Sequence, residues 1–491
     1  MGLLAALGVA TGTFVAIHSL LFIFHLFLSP LRHFPGPKRD ALSQLVWAYH
    51  LVQGDSCKYI ACLHEKYGEA VRTASNEVSF TSATAWQEIY GNKTKWDDVY
   101  EKNSILYVFG PQPVLNIFFC ASREHARIRK HIAPAFSGMA LAEQELLIRE
   151  SIDQLIRALR DRSGKAWFPD KNGVVNMTAW TTFQVTDVLT WMAFGKSWGT
   201  LQSGEYPGFI VDLYGTLRDS TKIRAAHRLK PYHHIIKRVV SNDLGTAFIE
   251  YFESAQKALD VRLAATRDAP QKDFVTYITD GLTPEEMFEN INMLVVAGLD
   301  STATVLNAAI YYLTNSPSSY QKLAGEIHDA FETEQDITIA SVSRLKYLKA
   351  VLDETMRLHP SVPVGLPRLV PKGGRFIDGR WVPGGTWVSV AQYAAYRSSR
   401  YFSKPHEFIP DRWVDESKYN LDNHFVFHPF SIGTRGCIGK TFAYANMRLA
   451  LALLLWNFDL KPQPGNDDPD SLKEYGLWEH QPMYVQVQER Q

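Results

Sequence analysis

The stretch that decides the fold is Phe430-Ser431-Ile432-Gly433-Thr434-Arg435-Gly436-Cys437-Ile438-Gly439, just ahead of a strongly apolar run from Met447 to Phe458. It reads as a loop that delivers one sulfur to the start of a helix. Gly433, Gly436 and Gly439 carry no Cβ, so the backbone can take turns closed to other residues and lie flat against a planar ligand. Cys437 is the soft ligand in reach. Backbone N–H groups and the positive end of the following helix favour a thiolate over a thiol, and a thiolate is what a metal needs. The guanidinium fork of Arg435 suits a carboxylate on such a ligand, and Phe430 can roof the sulfur against water.

Working outward, the chain of 491 residues shows no internal repeat and is 46% hydrophobic, which fits one large, mostly helical unit with an ordinary core. Lys and Arg total 51 against 51 Asp and Glu, so nothing in the charge balance points to a nucleic-acid partner. Cys57, Cys62, Cys120 and Cys437 show no metal-ligand pairing such as C-x-x-C, and their small number fits a reducing compartment better than a disulfide framework.

Leu3 to Leu28 is almost wholly apolar and long enough to cross a bilayer as one helix. It runs straight into Ser29-Pro30 without a small-residue cleavage site, so a retained anchor is expected over residues 1–28. Arg32, Lys38 and Arg39 follow the run and no Lys or Arg precedes it, which leaves the body in the cytosol and Asn92 and Asn176 unglycosylated. Pro30, Pro35, Gly36 and Pro37 make residues 29–40 a stiff, non-helical hinge. Val71, Val78 and Phe80 fit short strands.

Ser122 to Ser137 reads as one basic helix in which His125 and Arg129, one turn apart, share a side. Thr283-Pro284-Glu285-Glu286 is a helix start with a hydroxyl cap, proline at the first position and a returning glutamate. The helix it opens runs to about Asn315, roughly 45 Å, enough to cross a domain. Inside it, Ala297-Gly298-Leu299-Asp300-Ser301-Thr302 sets a glycine, an acid and two hydroxyls on an otherwise apolar helix, at a propensity cost of about 1 kcal/mol for the glycine. Such polarity is either satisfied by packing or functional. Ser341 to His359 reads as a further helix, with Glu354 and Arg357 on one face. The helix after Cys437 is expected through Phe458, and Tyr484, Val485 and Val487 fit a closing hairpin.

Together these residues resemble the cytochrome P-450 family of haem-thiolate monooxygenases: Phe430-x-x-Gly433-x-Arg435-x-Cys437-x-Gly439 matches every specified position of its haem-binding signature. The resemblance spans the chain from Leu3 onward. It implies a mainly α fold with a small β region, preceded by one N-terminal transmembrane helix, with residues 41–491 as the haem-thiolate catalytic domain. It implies haem b, with Cys437 as the axial thiolate and Phe430, Gly433, Arg435 and Gly439 shaping its seat. His125, Arg129 and Arg368 are implied as propionate contacts, His125 standing where many microsomal members carry tryptophan. Ala297 and Gly298 would open a helix turn for dioxygen, while Asp300, Ser301 and Thr302 pass protons. Ser301 replaces the usual threonine and loses its rotamer-restricting methyl.

The Glu-x-x-Arg pair, Glu354 and Arg357, with Arg412 of Pro410-Asp411-Arg412-Trp413, is implied as a structural triad beneath the haem loop. Pro363 to Val370 would line the pocket as a strand. The chain has no flavin or nicotinamide signature, so the resemblance implies NADPH–cytochrome P-450 reductase as electron donor in the endoplasmic reticulum membrane. Gly365-Leu366-Pro367-Arg368 and the Ser-Thr-Ala-Thr continuation of the long helix look like fungal members of secondary metabolism, which implies a lipophilic small-molecule substrate. Two other readings stay open: a rearranging haem-thiolate isomerase or dehydratase, and a membrane haem protein that only binds ligands.

Overall fold

The computed structural model describes residues 12–13, 16–17, 19–102, 116–160, 173–229, 246–265, 272–278, 281–415 and 417–490. Most of these are helical, and the sheets are small. The chain forms two compact units, each assembled from stretches distant in sequence. The first comprises residues 1–108, 221–241 and 364–395, and the second residues 109–220, 242–363 and 396–491.

The second unit is built on the long helix Pro284–Thr314. Its start is the capping box read from the sequence: Thr283 Oγ1 accepts from the Glu286 amide at 3.2 Å and Glu286 returns a carboxylate to the Thr283 amide at 2.9 Å. Against it lies the helix Met177–Phe194, buried over nearly its whole length. Threonines 182, 186 and 190 make that burial tolerable by donating their hydroxyls to carbonyls one turn back. The two helices approach closely at Gly298, where a Cβ would fall 3.1 Å from Leu189 Cδ1. The helix Lys440–Asn457, apolar from Met447 onward, completes this core.

The structure departs from the sequence reading at several points. The last helix ends at Asn457, and Phe458–Pro462 is a strand. Tyr484–Glu489 pairs with that strand and with Val174–Asn176, so the tail closes a three-stranded sheet in place of a hairpin. The helix expected from Ser341 begins at Lys346, after a separate turn at Ile339–Val342. The basic helix runs Ser122–Ile132 and tightens into a 3-10 turn, because Pro134 has no N–H to continue an α-helix.

In the first unit, Ala70–Ala74 and Glu77–Phe80 form the strands expected there, in a sheet completed by Trp387–Val390, Arg368–Leu369 and Glu101–Lys102. Of the strand expected over 363–370, only Arg368–Leu369 pairs. The proline-rich stretch is less uniform than a stiff hinge. Pro30–His33 is a 3-10 turn, Phe34 and Pro37 are extended, and a helix starts at Lys38. It is stitched to the sheet by the Arg72 amide on the Pro35 carbonyl, and buried Phe34 meets Phe80 edge-on.

Part of the expected anchor, residues 3–11, 14–15 and 18, lies outside the described residues. Its described part includes a short apolar helix, Ser19–Leu28, with exposed Leu20, Phe22, Phe27 and Leu28. Among the described residues, the helix long and apolar enough to cross a membrane is Pro284–Thr314, and it is largely buried as a core element.

Candidate active site

Cys437 sits at the foot of the helix Lys440–Asn457, at the end of a tightly closed loop. Ser431 and Gly433 take left-handed backbone angles, φ 55° and 73°, the second being a position that glycine fills without strain. The loop is locked from inside: Ser431 N donates to His428 O at 2.9 Å, Gly436 N to Gly433 O at 3.0 Å, and Cys437 N to Phe430 O at 2.8 Å. The Phe430 ring lies against Tyr444, centroids 5.1 Å apart.

The Cys437 side chain has accessible surface, yet protein surrounds it closely enough that burial pushes its thiol pKa up. The loop leaves part of the residue accessible while protein packs closely around its sulfur. Backbone N–H groups of Gly439 and Lys440 and the charges of Arg129 and Lys440 work against that upward shift.

Two arginines tie the loop to the basic helix. Arg129 Nη1 donates to the Gly436 carbonyl at 2.8 Å, and Arg435 Nη2 donates to the Cys120 carbonyl at 2.7 Å. Burial lowers the pKa of Arg129, and the nearby Cys437 charge raises it. His125 is buried one turn before Arg129. Arg368 belongs to the first unit, where it is buried with its guanidinium 5.3 Å from the Tyr90 ring centroid.

A second layer holds the loop from below. Glu354, Arg357 and Arg412 are fully buried. Arg357 reaches both Glu354 oxygens at 2.9 and 2.8 Å, Arg412 Nε adds a contact at 3.1 Å, and the Ile409 amide and Trp413 Nε1 each donate at 2.9 Å. Burial alone would raise the Glu354 pKa, but the two arginines and these donors hold it below the usual carboxylate range. Arg357 also donates to the Tyr396 carbonyl at 2.7 Å, and the Tyr396 hydroxyl accepts from the His428 amide, where the cysteine loop begins. Tyr396 is therefore the link from this cluster to the loop. The sequence carried no signal for it, because a tyrosine far from both partners in the chain is ordinary core composition.

On the long helix, residues 297–302 remain regular α-helix, without an opened turn, and the small residue at 298 serves the close approach of Leu189. Ser301 Oγ donates back to the Ala297 carbonyl at 2.8 Å, and Ser361 Oγ donates to the Ser301 carbonyl at 2.8 Å. Asp300 is fully buried with Oδ1 3.5 Å from His480 Nε2, and Thr302 is buried nearby. Successive helical positions are about 100° apart, so Asp300 and Ser301 point to different surroundings. His480 was missed in the sequence, lying in a tail that carries no motif.

A Cytochrome P450 family model matches residues 35–487. The cytochrome P450 monooxygenase lnbC of Aspergillus flavus is 46% identical over 481 residues, covering 98% of this chain and 96% of that protein. The cytochrome P450 monooxygenase FrzC of Cladobotryum sp is 41% identical over 488 residues, covering 99% and 98%. AstA of Talaromyces wortmannii, also a cytochrome P450 monooxygenase, is 34% identical over 484 residues, covering 97% and 96%.

The chain belongs to the cytochrome P450 family. It is a monooxygenase of that family, whose members bind haem through a cysteine thiolate. The donor chemistry of this P450 fits such a group. Among the described residues no cluster of three or more His, Cys, Asp or Glu could hold a bare metal ion, whereas one sulfur with N–H donors and two arginines behind it suits a metal that brings its other ligands along.

Proposed function

We propose that this P450 inserts one oxygen atom from dioxygen into a lipophilic small molecule, an intermediate of fungal secondary metabolism, using Cys437 as the haem ligand. The observation that carries the reading is the closed loop, which presents Cys437 Sγ to N–H donors of Gly439 and Lys440 beside Arg129. The fungal relatives support the pathway class. Bound haem supplies dioxygen chemistry, with the thiolate pushing electron density toward O–O cleavage.

The chain's own residues do the rest. Gly433 and Gly439 leave room beside the sulfur, and Phe430 anchors the loop through Tyr444. Arg129 carries five N–H donors, enough to brace Gly436 and meet a propionate, with Arg435 and His125 sharing that task; the family pattern adds Arg368 as a further propionate candidate. Asp300 would supply protons from the buried helix face, and Ser301 and Thr302, with Ala297 and Gly298 beside them, would carry hydrogen bonds toward the oxygen chemistry that bound haem supplies. Glu354, Arg357 and Arg412 keep the loop in place and take no chemical part. Retention of an acid with two hydroxyls favours oxygenation over the isomerase or ligand-binding readings.

Electrons come from NADPH–cytochrome P-450 reductase, and residues 3–28 anchor the protein once in the endoplasmic reticulum membrane with the catalytic body in the cytosol. Residues 29–40 link that anchor to the catalytic domain at 41–491. The test is to express the full chain with the reductase and a panel of lipophilic polyketide, terpenoid and alkaloid intermediates, and to measure NADPH consumption and oxygenated product. Product dependent on NADPH and lost in Cys437→His, along with the thiolate-type absorption of the reduced carbon monoxide complex, is the expected result. An unchanged spectrum in Cys437→His overturns the ligand assignment. Deleting residues 1–28 should weaken membrane association while haem is retained, and glycosylation at Asn92 or Asn176 would reverse the orientation.

A further inference from the structure

Asp300 and Thr304 lie one turn apart on the long helix and so share a face. His480, from the C-terminal segment, meets that face: its Nε2 is 2.8 Å from Thr304 Oγ1 and 3.5 Å from Asp300 Oδ1. Asp300 has no accessible surface, whereas the His480 side chain is 10% exposed. The imidazole lines a small cavity of about 50 Å³, together with Thr304, Asn307 and His359. That volume admits a water or two. A wider cleft of about 400 Å³ lies next to it, walled by Arg218, Lys473, Tyr475 and Glu479. The two share Asp467, Leu472 and Gln481 in their walls, so the cavity that His480 lines adjoins the wider cleft.

We propose that His480 is the residue through which Asp300 is supplied with protons from solvent. The inference rests on the reading of Asp300 as the proton source of the site. The 3.5 Å gap first closes to hydrogen-bond length, and the imidazolium then gives its Nε2 proton to Oδ1 of the Asp300 carboxylate, leaving a neutral ring and a neutral acid. The ring then regains a proton from water in the cavity, and no electron moves. Thr304 holds the ring at its Nε2 edge, which keeps that nitrogen beside the carboxylate. His480 acts through Asp300 and is a positioning and supply residue, not one that touches substrate.

The test uses full-length, haem-loaded protein with reductase and a turned-over substrate. His480→Gln keeps a side chain able to donate and accept hydrogen bonds but cannot carry a proton at neutral pH. Expected are an unchanged substrate-induced spectral shift, product formation lower by about tenfold, below the effect of a group that itself hands over the proton, and a larger solvent isotope effect on turnover. A purely structural histidine would leave the isotope effect unmoved, and that outcome overturns the proposal.

A readout independent of turnover is labelling of resting protein with diethyl pyrocarbonate, read by peptide mass spectrometry. His480 should be modified while the fold is intact; protection through complete labelling of other exposed histidines overturns the solvent route. Should His480→Gln not accumulate, Thr304→Val frees the ring from its hydroxyl and should change both readouts in the same sense by a smaller amount, and no change there counts against the proposal. Asp300→Asn, run in parallel, separates the two levels. A response from Asp300→Asn with none from His480→Gln removes only this inference, and silence from both removes the underlying relay as well.

Discussion

Two buried carboxylates, Glu354 and Asp300, lie in the same unit and have opposite surroundings. Glu354 accepts from two arginines, an indole and a backbone amide at 2.8–3.1 Å. Asp300 faces a histidine at 3.5 Å, longer than a hydrogen bond, and that histidine lines a water-sized cavity. A carboxylate saturated with fixed donors is held in one charge state and serves as a rivet. Asp300 instead faces one histidine that lines a cavity. The difference teaches that burial alone does not mark function; the number and rigidity of the partners does.

The sharpest way to break the comparison is to empty the saturated site. Glu354→Ala leaves Arg357 and Arg412 buried without their shared anion, which should cost about 3–5 kcal/mol and prevent accumulation of haem-loaded protein. Thermal unfolding and the yield of carbon monoxide-binding protein measure it; near-wild-type values would show that the cluster is not what holds the cysteine loop.

Next in size is Asp300→Asn, an isosteric change at the other carboxylate. Product formation should fall by about a hundredfold or more with unfolding temperature nearly unchanged, because proton supply is removed and packing is kept. Steady-state turnover and a melting curve on one preparation decide it, and a stability loss matching that of Glu354→Ala would erase the distinction drawn here.

Ser301→Ala should act more gently. The hydroxyl that donates to Ala297 disappears, so NADPH consumption continues while product falls several-fold and hydrogen peroxide rises. A wild-type ratio of product to NADPH would return residues 297–302 to simple helix packing.

The smallest effect is in acid. The arginines outweigh burial and hold Glu354 below its ordinary value of 4.5, so its stabilising contribution is complete above that value and disappears as pH falls through the lower folded value. Unfolding followed from pH 7 downward should show a loss in wild type that is missing from a Glu354→Gln variant.

What was legible in the sequence was local. The Thr283 cap, the glycines around Cys437 and the Glu354–Arg357 spacing each involve residues within one or two turns, so their types alone dictated geometry. The strand at Phe458–Pro462 was unreadable because its partners, Tyr484–Glu489 and Val174–Asn176, lie elsewhere in the chain, and an apolar run adjoining a helix fits either structure. Gly298 was ambiguous for a related reason: glycine in a helix announces that something comes close, and only the neighbouring helix showed that Leu189 does so.

By itself, then, the sequence located the cysteine proposed to supply the sulfur, the start of the long helix and the Glu354–Arg357 pair, since these follow from spacing and from the chemistry of side chains near one another in the chain, whereas Arg412 entered through the family resemblance. Tertiary structure decided what those residues touch. It put Tyr396 between the rivet and the cysteine loop, turned Asp300 toward His480 and Ser301 back onto Ala297. The reason is that partners separated by thirty residues or more, as Tyr396 is from Arg357 and His428, meet only when the core closes, and the direction of a side chain on a buried helix is set by the surface packed against it.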